Sequence, residues 1–315
     1  MMYRSNVDVG LVTITTVACL LTCLGTTCTT TTDEGNVCVT GAQATAECTL
    51  DSCTTSISDD VPSFFKKYFR CVTITLDGND VVITSNGTPP HKSFYYSYGT
   101  PSNESHPNFT AFDTSDGRFA NPNVISNNEL TVRFPMNPTS KGLTIDDSLV
   151  DAVNGSSSDE FTNGPAGIAL DGVAMFNSLA APGDDIDDEV FTFDGYEAHA
   201  EMTGDYHYHS ATPGPLEILE AQGILSAGDT TPGSAAIELY GIMCDGTVVM
   251  GCTELDGSTP SDADFDSQNG HTHDLIDTDG TTQLANRYHV HVCPDRYTTH
   301  RFNPEIQFYE DCTAE

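Results

Sequence analysis

Seven of the ten histidines fall into two matched groups. The first is His199 followed by Tyr206-His207-Tyr208-His209; the second is His271-Thr272-His273 followed by Tyr288-His289-Val290-His291. Side chains two apart on a strand share a face, so each Tyr-His-x-His phrase presents two imidazoles together and its flanking residues on the other face. Imidazole is the commonest protein metal ligand. With Glu201, the first group could offer three nitrogens and a carboxylate; the second could offer four nitrogens. Zn²⁺ takes nitrogen donors tetrahedrally, Cu²⁺ prefers tetragonal nitrogen and oxygen, and histidine with carboxylate suits non-haem iron. The expected cofactor is a transition metal, with Zn, Cu and Fe not distinguished by spacing. The competing reading makes the histidines packing residues bonded to backbone; two ordered clusters in one repeated frame favour the metal.

The frame is an internal duplication. Gly167-Ile-Ala-Leu-Asp-Gly matches Gly241-Ile-Met-Cys-Asp-Gly at an offset of 74, Phe193-Asp194 matches Phe265-Asp266 at 72, and the Tyr-His-x-His phrases match at 82. Two copies are too few for a solenoid, so a pseudo-symmetric pair sharing one core is expected. Asp171 and Asp245 could orient ligand imidazoles from behind, as carboxylates often do, although Asp-Gly also makes hairpin turns. Asp194 and Asp266 stand in the same position. Glu201 and Asp274 are candidates for a general base on metal-bound water, against the plainer identity of solvated loop carboxylates. Asp184–Glu189 and Asp277-Thr-Asp-Gly have the flavour of calcium loops but lack the full ligand set, and read as solvated acidic loops.

These phrases resemble the YHYH domain, a family of mostly exported proteins named for the tetrapeptide. Matching its motifs are Gly167–Gly172 and Gly241–Gly246, Asn269-Gly270-His271, and the two closing phrases Tyr206–His209 and Tyr288–His291. The resemblance spans roughly residues 160–300. Glu197-Ala198-His199 departs from it in the first copy, and Val290 replaces a tyrosine in the second. It implies export and a metal-like site, without naming a reaction.

The elements that must position these residues read as mainly β: a duplicated β-rich domain, sandwich- or barrel-like, with few short helices. Arg70–Gly87 looks like two β-branched strands about a turn, Phe94-Tyr-Tyr-Ser-Tyr like an aromatic strand, and Glu129–Met136 like another strand. Pro215–Gly223 is the clearest helix candidate, its glycine suiting a helix end. Four segments follow: 1–25 as a signal peptide or N-terminal anchor, 26–60 as a Thr/Cys-rich tether, 61–160 as a β-rich part, and 161–315 as the duplicated domain. The apolar stretch Val9–Leu24 is short for a membrane span and suits a secretory signal. A secreted or cell-surface location is expected, with peripheral or anchored membrane association left open.

Nine cysteines beyond Gly25 then read as disulfide formers with one left over. Two of Cys244, Cys252 and Cys293 are expected to pair, with Cys293 as thiolate ligand the alternative. Asn86, Asn103, Asn108 and Asn154 open glycosylation sequons. Forty-six acidic residues against eleven basic ones give a formal charge of −35, which disfavours nucleic acid as a partner and leaves a metal ion as the expected one. Three function classes remain: metal binding for capture, storage or stability; a metal-assisted hydrolase or oxidase; and a non-catalytic surface recognition module with structural histidines.

Overall fold

Alternating burial over Thr73–Met136 builds the first sheet. Strand β2 (Thr73–Asp77) turns through Gly78-Asn79 into β3 (Asp80–Ser85), with Asp77 opposite Asp80 and Gly78 at φ 66°. Ile74, Ile83 and Val132 align across three strands on the buried face, the third being β4 (Leu130–Pro135). Two short strands complete the sheet: β1 (Ser56–Ile57) runs parallel to β2, and β15 (Thr313–Ala314) pairs with β4. The order is β1-β2-β3-β4-β15. Helix α1 (Ser63–Tyr68) buries Phe64, Phe65 and Tyr68. Phe94–Tyr96 forms a 3₁₀ turn rather than the expected strand: the preceding Ser93 hydroxyl accepts from Tyr95 N, a side-chain-to-backbone bond that favours a turn.

This computed structural model describes residues 49–96, 106–150, 159–180, 184–261, 263, 265–294 and 302–315. The expected leader, the Thr-rich segment through Cys48 and the sequons at Asn103 and Asn154 lie outside the described residues. Asn108 is buried. No helix among the described residues is long and apolar enough to cross a membrane.

The second sheet has eight strands: β5 (Gly167–Ala169), β6 (Ala174–Met175), β9 (Ala198–Ala200), β10 (Tyr206–Tyr208), β11 (Leu239–Met243), β12 (Val248–Met250), β13 (Gly270–Ile276) and β14 (Thr282–His291). Between them, β7 (Leu179–Ala180) and β8 (Asp184–Asp185) form a separate ribbon. The order β13-β14-β12-β11-β5-β6-β10-β9 is a palindrome of the duplication. Each copy contributes four strands, and corresponding strands occupy mirrored places. At the centre β5 and β11 run antiparallel with Ile168 opposite Ile242, 74 positions on in the chain, which is the repeat offset itself. A pseudo-two-fold axis therefore passes between these two isoleucines. Gly167 and Gly241 flank it, and a Cβ at either would collide with the backbone carbonyl across the axis, Ile242 or Ile168.

Helix α2 (Pro213–Ala221) starts two residues before the expected Pro215. Thr212 caps it by accepting from Gly214 N, and Gly223 follows its end at φ 72°. Among the described residues the chain is mainly β, in open sheets with no closed barrel. One continuous apolar core takes residues from both large sheets, including Ile74, Phe134, Ile168 and Val248.

Candidate metal centres

The outer strand pairs of the eight-stranded sheet place the histidines. In β9–β10, His199 lies directly opposite His207, and in β13–β14 His271 lies directly opposite His289. His209 and His291 follow two residues later on the same faces. Each set therefore has three equivalent imidazoles: His199, His207 and His209, and His271, His289 and His291. Ligand atoms of the first three lie within 4.8 Å of one another, as do those of Glu254, His271, His273 and His289.

The hydrogen bonds behind the rings fix where the protons are. His207 Nδ1 meets Asp205 O at 2.9 Å and His209 Nδ1 meets Asn177 O at 2.7 Å. The equivalent contacts in the second copy are His289 Nδ1 to Arg287 O at 3.0 Å and His291 Nδ1 to Gly251 O at 2.8 Å. A carbonyl only accepts, so all four Nδ1 atoms carry the proton. His199 Nδ1 lies 2.6 Å from Thr192 Oγ1, whose one hydroxyl proton goes to Glu189 O, so this Nδ1 also donates. A neutral ring protonated at Nδ1 has a bare lone pair at Nε2.

Those bare nitrogens face each other. His207 Nε2 lies 3.0 Å from His199 Nε2 and 2.9 Å from His209 Nε2, with no proton available for either gap. Protonating a ring does not resolve this, because burial holds the imidazoles neutral: His199 is lowered to about 3, by burial and then by the neighbouring His209, and His209 to about 4. His207 is driven well below its ordinary value, by burial first and then by its two neighbours. Nitrogens bonded at about 2.05 Å to one tetrahedral ion stand about 3.3 Å apart, close to the spacings seen.

In the second set Glu254 occupies the middle. Its carboxylate oxygens lie 3.1 Å from His271 Nε2, 3.4 Å from His273 Nε2, 3.3 Å from His289 Nε2 and 3.5 Å from His291 Nε2. His271 and His291 Nε2 are 3.2 Å apart. His289 is wholly buried, yet its Nε2 and Glu254 Oε2 make no hydrogen bond. Burial lowers His289 to about 4 against the opposing pull of the Glu254 carboxylate, and with its Nδ1 proton on Arg287 O its Nε2 lone pair faces that carboxylate. A cation between these donors would remove the repulsion; a buried polar atom without a partner otherwise costs about 1–3 kcal/mol.

Aromatic residues hold both sets. Phe176 stacks on His207 at 3.7 Å, while the equivalent Phe193 and Phe265 pack edge-on against His199 and His271 at 5.0 and 4.8 Å. Tyr206 OH donates to Asp194, and its counterpart Tyr288 OH donates to Asp266 at 2.7 Å. Asp194 and Asp266 thus anchor the tyrosines on the reverse face of the strand instead of orienting imidazoles. Asp171 and Asp245 also serve backbone and tyrosine. Asp171 accepts from Val173 N and from Tyr208 OH, and Asp245 from Thr247, Phe308 and Tyr309. Val290 explains that difference: without a second tyrosine, Asp245 is satisfied by backbone N–H groups of the returning C-terminal chain. Tyr208 OH, which donates to Asp171, also lies 2.7 Å from buried His91 Nε2.

The carboxylates expected as bases, Glu201 and Asp274, line the cavities beside the two sets, and both are engaged by backbone N–H groups. Glu201 accepts from Thr203 N and Asp205 N and ties the β9–β10 turn; Asp274 accepts from Asn286 N and is exposed. The carboxylates that do meet imidazoles are Glu254 and, 3.5 Å from His199 Nε2, Glu189. Neither has a counterpart in the other copy, so the duplication gave no signal for them. Glu189 closes the acidic run expected to be solvated. The other acidic loop is structural: Asp277 accepts from Asp279 N, Thr281 N, Gln283 and Lys67, and holds the β13–β14 turn. Glu197, the departure in the first copy, takes the left-handed backbone of its counterpart Asn269 (φ 52° and 57°), and Arg118 grips its carboxylate at 2.9 Å.

Cys293 is not a thiolate ligand. It is disulfide-bonded to Cys252, and Cys244 pairs with Cys312 and Cys53 with Cys71. The Cys252–Cys293 bridge ties the strand end just beyond His291 to the loop carrying Gly251 O and Glu254. Cys28, Cys38 and Cys48 lie outside the described residues. A cavity of about 490 Å³ beside Arg118, Phe191 and Phe302 contains no histidine. Comparison with family models, curated proteins and solved structures finds no match to this chain.

Proposed function

We propose that this chain is an exported, YHYH-like protein that binds transition metal at or outside the cell surface, one ion in each histidine set. The observation carrying this reading is the first set's three inward nitrogens, each with its proton spent on the opposite side of the ring. Structural histidines normally have both nitrogens satisfied. Imidazole with carboxylate suits Zn²⁺, Cu²⁺ or Fe²⁺. Three disulfides fit an oxidising compartment, and the acidic surface draws cations towards the sites. Outer hydrogen bonds from imidazole Nδ1 to backbone carbonyl, made here by five of the candidate ligands, His207, His209, His273, His289 and His291, are the usual means of aiming a ligand histidine.

Calorimetric titration of metal-free protein with Zn²⁺ tests it. Two ions bind per chain, and a His289→Ala/His291→Ala variant retains one. Binding of no zinc, with melting unchanged by added metal, removes the reading and leaves the histidines as scaffold.

A further inference from the structure

The two sets have the same three-histidine frame but different surroundings. Around the second, Glu254 and His273 add two donors to the three imidazoles, and the neighbouring cavity of about 330 Å³ is lined by Glu254, His271 and His273 but not by His289 or His291. The inner rings lie behind the carboxylate. Around the first set all three histidines line one cavity of about 460 Å³. Apart from Glu189 at its edge, which approaches His199 alone, no further donor of the described residues joins the three nitrogens.

That cavity is a built space. Its wall includes Phe176, Leu179 and Met202, with Asn121 and Asn123 across from β9. Both asparagine Nδ2 groups donate to Ala200 O at 3.0 Å, pinning the loop against the strand that carries His199. Phe176 continues from its stack on His207 into the same wall. Glu189, Glu201 and Asp205 give the remaining lining an acidic character. The space has room for a small organic molecule.

Resting on the metal reading above, we infer that the duplicated centres have diverged in role. The His199–His207–His209 centre keeps a coordination position open to the cavity and takes an exogenous, uncharged nitrogen or oxygen donor with an apolar body. The Glu254-centred set is closed by the protein's own ligands and is structural. Closed four-ligand sites and open three-ligand sites divide along this line in zinc proteins. The acidic lining disfavours anionic ligands, and the apolar wall adds affinity for a ring or alkyl group on the donor.

The test uses the full chain loaded with two equivalents of Co²⁺, whose visible bands report coordination. Imidazole, 4-phenylimidazole and azide are each titrated in, and retained cobalt is counted after buffer exchange. Saturation at one imidazole per two cobalt ions, with 4-phenylimidazole bound at least about tenfold more tightly and azide more weakly than imidazole, is the expected result. His207→Gln/His209→Gln assigns the responding centre: it should lose the imidazole response while one cobalt ion stays bound. Two imidazoles per chain, or none while both cobalt ions stay bound, overturns the division of roles and leaves metal binding intact. A response that survives in His207→Gln/His209→Gln overturns it too. Failure to retain any cobalt overturns the underlying metal reading instead. The stoichiometry comes from unaltered protein, so a misfolded variant does not cancel the test.

Discussion

Replacing His207 by alanine separates what an imidazole contributes to packing from what it contributes to an ion. The ring is buried against Phe176 and its Nε2 lies between those of His199 and His209. In metal-free protein its removal opens a cavity, costing on the order of 2–4 kcal/mol as other large-to-small core changes do. Relief of the crowding among three bare nitrogens offsets part of that cost. Zinc at a hundred times each dissociation constant stabilises the unaltered fold by about 2.7 kcal/mol per set, hence roughly 5 kcal/mol for two. Loss of one of three nitrogen ligands should weaken the first set by more than the 10–100-fold typical of a lost outer partner. At hundredfold weakening its contribution falls to about 0.4 kcal/mol. The variant should therefore gain roughly 3 kcal/mol from zinc where the unaltered chain gains roughly 5. Urea denaturation with and without zinc measures this, and the cavity cost cancels because each protein is compared with itself. An equal gain in both proteins refutes the reasoning.

Three further outcomes follow from the same geometry. Cys252→Ser/Cys293→Ser should weaken zinc at the second set by about 10–100-fold and leave the first set unchanged, because the bridge holds the loop carrying Gly251 O and Glu254; calorimetry showing both sets equally affected would count against it. Tyr206→Phe should cost about 2 kcal/mol in urea denaturation, since it removes a hydrogen bond to buried Asp194, and a cost near zero would deny the anchoring role. Burial lowers His91 from about 6.5 to about 3, so between those values the unfolded chain binds the extra proton and stability falls by about 1.4 kcal/mol per unit as pH drops. Asp171 and Asp194, raised by burial to about 6, bind protons in the fold first and oppose that slope between about pH 4 and 6. His91→Gln should reduce the acid-side slope of metal-free protein by about 1.4 kcal/mol per pH unit and leave the part due to the other buried imidazoles, His199, His207, His209 and His289; an unchanged profile refutes the assignment.

Much of this arrangement was legible in the order of residues. The three repeat offsets announced a two-fold pair, and the i, i+2 spacing of His207 with His209 and of His289 with His291 announced a shared face. Strand pairing then does what spacing could not: it sets His199 opposite His207 and His271 opposite His289. The carboxylates were illegible for a physical reason. Glu254 and Glu189 arrive from the loops between equivalent strands, β12–β13 and β6–β9, but from different places in them, so neither periodicity nor the repeat offsets mark them, while the repeated aspartates proved to hold tyrosines and turns. Phe94–Tyr96 misled because an aromatic run has the composition of a strand, while the turn is favoured by Ser93, whose hydroxyl accepts from Tyr95 N.

X-ray absorption of the protein purified from its native source tests the central claim most directly, because recombinant loading can supply the wrong ion. Two transition-metal ions per chain should be found, each with a first shell of nitrogen or oxygen near 2.0–2.1 Å and imidazole scattering beyond it. Absence of a transition-metal edge, or a sulfur shell near 2.3 Å in its place, contradicts the account.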